Sequence, residues 1–278
     1  MFLLKQHPSE KLTVMSQVQT GLLTGITVID LTSMISGPLA TMMLADHGAN
    51  VIKVESPAGD YSRQVATRRN GYSASFVNNN RNKRSLVLDL KKPAAVKTLE
   101  KLIAKADVLI QNFRPGVATR MGVGPEHAQA LNPALIYLSI SGFGFTGPFR
   151  DKPVFDPLIQ ALSGLTSIQG GSDDARPRLV RTILPDKLTA MQASQVILAA
   201  LFHRERHGGD GKVLELSMLD TIISFLWSSD MGGHTFVGDE LKTETAQSFI
   251  DLIYETTDGY VSIAVMQDKH WQGFLRSV

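Results

Sequence analysis

Short apolar runs alternate with helix-length amphipathic segments along most of this 278-residue chain, and that alternation restricts it to α/β architectures. Thr27 to Leu31 (TVIDL) reads as a buried strand between Gly25 and Thr32-Ser33. Gly37-Pro38 opens a helix that runs to about His47, with proline at the first helical position and Gly48 as the stop. Val51 to Glu55 (VIKVE) is the next strand. A β-α-β unit with so short a crossover favours parallel strands and a right-handed connection. The pattern then repeats through a strand-like Ser85 to Leu90 and a helix from Pro93 to Lys105 with Val96, Leu99 and Ile103 inward. It continues with a strand from Asp107 to Gln111, a helix from Pro125 to Leu131 and a strand from Leu135 to Ile140. Gly208-Gly209-Asp210-Gly211 ends the helix that follows Asp186, Lys212 to Leu216 adds a strand, and Ser217 or Asp220 starts a helix through Trp227. The predicted fold class is α/β: an open parallel sheet with helices on both faces, plus the start of a smaller α+β domain.

The domain boundary is placed in the polar, glycine-bearing stretch Ser228 to Ser248. Residues 22–228 form the expected large domain, and 229–278 a linker with the first part of a small one. There Asp258-Gly259 separates two runs, Phe249 to Tyr254 and Tyr260 to Val265, as in a hairpin, and a helix with Trp271 and Phe274 follows.

Composition removes several function classes. With no cysteine there is no disulfide framework, thiolate nucleophile or Cys-based metal site. A formal net charge of +2 does not suggest a general nucleic-acid or membrane-surface binder. The first 24 residues lack a signal-peptide core, and no apolar run approaches the roughly 18 residues of a membrane span, so a cytoplasmic location is expected. The seven histidines show no metal-ligand spacing, and no metal site is expected.

Four stretches could carry chemistry. In Leu179 to Phe202 a strand-like apolar run (Leu179, Val180, Ile183, Leu184) stops at Pro185-Asp186 and continues as a helix with an apolar side of Leu188, Met191, Leu198 and Phe202. Asp186 is then either a helix cap or a carboxylate nucleophile. Gly142-Phe143-Gly144-Phe145-Thr146-Gly147 has the letters of a dinucleotide loop, but Pro148 and a turn follow where a helix is needed, so neither NAD nor FAD is expected. Asn112-Phe113-Arg114-Pro115-Gly116 follows a buried strand at an end where open α/β sheets bind ligands. From Arg63 to Lys92, eight basic residues against the single acid Asp89 suit either a solvated face or a polyphosphate. There is no G-x-S-x-G elbow.

Taken together, TVIDLTSMISGPLATMMLADHGANVIKVESPAGDYSR, NRNKRSLVLDLKKP, ADVLIQNFRPGVATRMG and LNPALIYLSISGFGFTGPFRDKP occur in the order and spacing of the family III CoA-transferases, and FDPLIQALSGL, the Pro185-Asp186 segment and ERHGGDGKVLELSMLDT extend the likeness. The chain resembles that family from about Leu22 to its end. The resemblance implies coenzyme A or an acyl-CoA as substrate bound on a Rossmann-like large domain with a second, smaller α+β domain, a small carboxylate acceptor, a homodimer of interlinked subunits, and Asp186 as nucleophile. It implies CoA contacts from Ile35, Ser36, Leu88, Asp89, Leu90, Lys91, Asn112, Phe113, Arg114, Arg120, Ser141, Gly142, Phe143 and Gly144, and it reassigns the basic stretch to the ADP-pantetheine end. The implied chemistry runs through aspartyl anhydrides and an aspartyl-CoA thioester. The glycine loop is expected to give N–H donors and cover against water.

The sequence departs from the pattern twice. The racemase branch of the family carries a His-Asp step where this chain has Phe155-Asp156, and proton exchange needs an acid/base on each face of the α-carbon. An acyl-CoA racemase is therefore the alternative rather than the main reading. Members of the family also continue well past Val278, so the chain reads as C-terminally shortened, and a catalytically silent CoA-binding fragment is a third reading.

Overall fold

The structure, a computed structural model, describes residues 21–171, 174–238, 252–265 and 267–277. In chain order it begins β1 (Thr27–Asp30), α1 (Ser36–Asp46) and β2 (Asn50–Glu55). A 3-10 turn (Tyr61–Gln64) and a two-stranded ribbon of β3 (Arg68–Arg69) and β4 (Tyr72–Ser73) lead to α2 (Ala74–Asn80). Next come β5 (Arg84–Val87), α3 (Pro93–Ile103), β6 (Val108–Gln111), α4 (Val117–Arg120), α5 (Pro125–Leu131) and β7 (Ile136–Ser141). The run ends with α6 (Asp156–Leu162), α7 (Leu165–Gly170), α8 (Leu184–Arg206), β8 (Val213–Ser217) and α9 (Met218–Trp227).

Six strands form one sheet in the order β5-β2-β1-β6-β7-β8, and every pairing in it is parallel. Chain order therefore runs outward in both directions from the β1–β6 neighbours, and the chain leaves β1 for α1 on one face and β6 for α4 and α5 on the other. Open α/β sheets bind ligands in the crevice at such a switch point. Alternate residues of each strand feed opposite faces. Val28, Val108, Ile110, Ile136 and Leu138 pack with α1 and α8 on one face. Ile29, Leu109 and Tyr137 pack with α3 and α5 on the other, where the Tyr137 hydroxyl donates to the Val123 carbonyl at 2.9 Å.

The α8 segment departs from expectation in two respects. Leu179 to Ile183 forms no strand, because it meets no open sheet edge. A side chain of α6 pairs with its backbone instead: the Val180 N–H donates to Gln160 Oε1 at 2.9 Å. The packed face of α8 is also not the one expected. Ala190, Ala193, Ile197 and Ala200 are buried with Ala40, Leu44 and Ala45 of α1, whereas Met191 and Phe202 are 55% and 65% exposed and Leu198 is exposed too. Two helices in close contact need small residues between their axes, so bulk goes outward. Of the four residues expected inside, only Leu188 joins a core cluster.

Beyond α9, β9 (Ile253–Glu255) and β10 (Tyr260–Ser262) pair antiparallel, and the Thr256 N–H donates to the Gly259 carbonyl at 2.9 Å across the turn. The hairpin forms where Asp258-Gly259 predicts it. Helix α10 (Asp268–Ser277) follows. The start of the expected first run, Phe249 to Asp251, most of the linker after Gly238 and the first 20 residues lie outside the described residues.

Candidate active site

The crevice is built first from buried charge beneath it. Asp30, at the end of β1, is fully buried and accepts hydrogen bonds from Thr41 Oγ1 at 2.7 Å, from the Thr32 N–H at 2.9 Å and from Lys83 Nζ at 2.9 Å. Burial pushes its pKa up, but Lys83, Lys53 and the two threonine hydroxyls outweigh that and hold it well below the ordinary carboxylate range. Lys53 of β2 donates to the Thr32 carbonyl at 2.9 Å and pairs with Asp60 at 3.0 Å. Asp60 in turn accepts the Met34 N–H at 3.1 Å. The loop after β1 is thus pinned by the side chains of Lys53 and Asp60. Its Met34 is held at φ +67°, a left-handed conformation costly for a residue with a side chain.

Across the crevice the loop after β6 is tied to this one. The Ser33 N–H donates to Asn112 Oδ1 and Asn112 Nδ2 donates to the Ser33 carbonyl, both at 2.9 Å. Gln111 receives the Phe113 N–H at 2.7 Å and donates to Ser139 Oγ at 2.9 Å, which fixes the turn into Phe113-Arg114. The Asn112 amide therefore holds two loops together and is not free to fork onto a ligand.

Two adjoining clefts open here, of about 340 and 370 Å³, and they share Ser33 and Phe113 on their walls. The first is lined by Ser36, Asn112, Arg114, Ser141, Gly142, Asp156 and Asp186 among others. The second is lined by Leu88, Asp89, Leu90, Lys91, Tyr61 and Met121 among others. Of the residues the sequence nominated, Ser36, Asn112, Phe113, Arg114, Ser141, Gly142 and Asp186 thus meet at one cleft and Leu88 to Lys91 at its neighbour. Ile35, Arg120, Phe143 and Gly144 line neither. Ile35 precedes α1 as its N-cap; Arg120 ends α4; Phe143 packs on the cluster around Ile159 and Met218. The Gly144 N–H is taken by Ser141 Oγ at 3.0 Å, so it does not face a ligand as the donor expected of that loop. No helix opens at this loop; the next is α6, which starts at Asp156.

Asp186 is not the N-cap of α8. That position is Ile183, and Asp186 sits in the first turn, where the helix dipole favours negative charge. Burial, and then the nearby Asp156 carboxylate, push its pKa up to about 6, against the hydroxyl and N–H of Ser36, which favour the charged form. The Asp156 pKa is raised as well, by burial, with the Gln160 amide and the Asp186 N–H opposing.

The basic stretch largely serves structure. Lys83 is buried on Asp30, Arg63 forks onto Glu55 at 2.8 and 2.7 Å, and Arg81 pairs with Asp46. Of the eight, Lys91 lines one of these two clefts. Sequence reasoning missed Arg150 and Lys152, which line the cleft with Asp186. Their segment reads only as a turn, and nothing local signals that it folds back over the β7 end. Among the described residues, no group of three or more His, Asp and Glu side chains is placed to hold a metal ion, and no helix is long and apolar enough to cross a membrane.

Comparison with known proteins bears on this arrangement. The profile of CoA-transferase family III matches residues 23–278. The chain is 33% identical over 266 residues to the probable fatty acyl-CoA transferase Rv3272 of Mycobacterium tuberculosis, an alignment covering 90% of this chain and 67% of that protein. It is 36% identical over 260 residues to a succinate–glutarate CoA-transferase of Agrobacterium fabrum, covering 90% and 64%. The crystal structure of a CAIB/BAIF family protein from Brucella suis superposes with a TM-score of 0.82 at 30% identity, covering 93% of this chain and 70% of that one. The acetyl-CoA:oxalate CoA-transferase of Acetobacter aceti is 40% identical over 203 residues, covering 73% and 52%, so this chain spans about half to two thirds of its curated relatives. A parallel six-stranded sheet, paired clefts at its switch point and a profile match over nearly the whole chain lead to one conclusion: the chain belongs to CoA-transferase family III.

Proposed function

We propose that this chain carries the site of a CoA-transferase that moves CoA from an acyl-CoA thioester to an acceptor carboxylate, with Asp186 as nucleophile. One observation carries the reading: Asp186 lines a cleft that shares Ser33 and Phe113 with an adjoining cleft walled by Leu88 to Lys91. A long ligand with a reactive thioester at one end and a nucleotide at the other fits such a path. Lys91 and the Phe113 ring suit the nucleotide end, and Ser36 the reacting end.

The Asp186 carboxylate attacks the donor thioester carbon, the C–S bond breaks, and CoA leaves as a thiolate. The thiolate attacks the Asp186 carbonyl of the mixed anhydride, releasing the donor as a carboxylate and leaving an aspartyl-CoA thioester. The acceptor carboxylate attacks that carbonyl and expels the thiolate, which then attacks the acceptor acyl carbon and restores Asp186. A carboxylate is a weak nucleophile, so placement and donors such as the Ser36 hydroxyl must supply most of the acceleration. Each intermediate is open to hydrolysis, which gives the Arg150 to Phe155 segment over the cleft a shielding role.

Racemisation is less well supported. Phe155 brings no imidazole to the cleft, and both oxygens of Asp156 already accept hydrogen bonds. A homodimer accords with the exposed Leu158, Leu162, Met191, Phe202, Phe225 and Trp227 on α6, α8 and α9. A cytoplasmic location and a division into domains at 22–228 and 229–278 belong to the same reading.

Intact-mass measurement after mixing with a panel of acyl-CoAs tests the chemistry. The expected result is a hydroxylamine-sensitive CoA adduct on Asp186 that Asp186→Ala abolishes. CoA binding with no adduct from any donor sinks the transferase reading and favours the silent CoA-binding one.

A further inference from the structure

Two buried side chains of α6 grip the main chain that carries Asp186. Asp156, the first residue of α6, is 4% exposed, and Gln160, one turn on, is 2% exposed. Asp156 Oδ1 accepts from Gln160 Nε2 at 2.6 Å, and Asp156 Oδ2 accepts the backbone N–H of Asp186 at 3.1 Å. Gln160 Nε2 also donates to the Thr182 carbonyl at 3.0 Å, and its Oε1 receives the Val180 N–H at 2.9 Å. Backbone groups of Val180, Thr182 and Asp186 are therefore fastened by one carboxylate and one amide.

The Asp186 bond has a specific consequence. The first amides of a helix lack partners inside it. In α8 the Leu184 N–H donates to the Thr182 carbonyl at 3.0 Å and the Lys187 N–H to the Ile183 carbonyl at 3.2 Å, while Pro185 has no N–H. The Asp186 N–H is satisfied by a side chain from another helix. The entry to α8 is thus set by α6 rather than by a cap of its own.

We propose that Asp156 and Gln160 form a clamp that fixes the backbone at Asp186 and so presents its carboxylate to the cleft, which makes Asp156 a positioning residue. The proposal rests on the reading of Asp186 as nucleophile. That role asks Asp186 both to attack a carbonyl and to be attacked as one, in a single confined place. Both steps depend on orientation. The clamp acts on the main chain, leaving the Asp186 carboxylate free to react.

Hydrogen exchange at the Asp186 amide, followed by NMR, tests the clamp without reference to activity; steady-state kinetics tests its use. In Asp156→Ala the protection of that amide should be lost, and kcat should fall ~100-fold while KM for the acyl-CoA changes less than ~3-fold. Asp156→Asn keeps one carbonyl acceptor and should restore part of both. Gln160→Met should lower kcat by roughly 10-fold through the loosened 180–182 segment. If the alanine variant fails to fold, these two carry the test. An Asp186 amide that exchanges equally fast in wild type and variants overturns the clamp, and so does lost protection with unchanged kcat. If the wild type forms no adduct on Asp186 yet shows the expected exchange pattern, the transferase reading fails and the clamp stands.

Discussion

Asp186 has a carboxyl whose pKa burial and the neighbouring Asp156 push up to about 6, so its ionised form grows in as the pH rises through that value. The proposed transfer rate should therefore climb between about pH 5 and 7, and the midpoint should move down in Asp156→Asn; a pH–rate profile of kcat/KM checks both. The same shift has a cost to stability. A carboxyl whose folded pKa is raised favours the fold while protonated and loses that advantage as pH rises from its unfolded value, about 3.8, through about 6. Asp186→Asn should accordingly be inactive yet more stable above pH 6, by at most about 3 kcal/mol, with the gain vanishing below pH 4. Urea denaturation at pH 4 and pH 7.5 measures the difference. The sequence named Asp186 and offered two roles for it. The sequence also marked Asp156, through the Phe155-Asp156 step, but not its hold on the Asp186 N–H, because the two lie 30 residues apart and meet only through the packing of α6 on α8.

Strands and most helices were legible as elements because their periodicities differ and because proline and glycine mark the ends. Faces were less legible. The sequence of α8 offers bulky Met191, Leu198 and Phe202 as a stripe, yet the face that meets α1 is made of Ala190, Ala193, Ile197 and Ala200. Hydrophobic size signals burial only when the facing element leaves room for it. Turns show a similar split. Gly208-Gly209-Asp210-Gly211 reads as a turn that ends α8, and Gly208 and Gly209 do have positive φ. Gly211 serves another purpose. A Cβ there would lie 2.0 Å from the Leu135 carbonyl oxygen, backbone against backbone, whereas Gly208 faces open space. Gly211→Ala should therefore destabilise by about 2–3 kcal/mol and Gly208→Ala by only about 1 kcal/mol, as judged by chemical denaturation of both. Equal losses would show that β7 does not hold the turn closely.

At the scale of the molecule, the switch point between β1 and β6 decides where a ligand can sit, and the loops around it are tied by Ser33–Asn112 and by Asp60. A site braced in this way should bind CoA with little rearrangement. Saturation at 100 times Kd should then stabilise the chain by about 2.7 kcal/mol and raise Tm by roughly 5–10 °C in a thermal shift measurement. An unchanged Tm at millimolar CoA would count against the two clefts as its site. By itself the amino-acid order determined the α/β alternation, the turns at Asp258-Gly259 and after α8, and the family, because these depend on neighbours in the chain and on motifs kept in register. Packing alone pairs Lys83 and Arg63 with the buried acids Asp30 and Glu55 and Arg81 with Asp46 at the surface, joins two loops through the Asn112 amide, and sets Asp156 against Asp186. A side chain's polar partners, often dozens of residues away, are chosen by how helices and strands pack, and that choice separates a buried structural charge from one that meets a ligand.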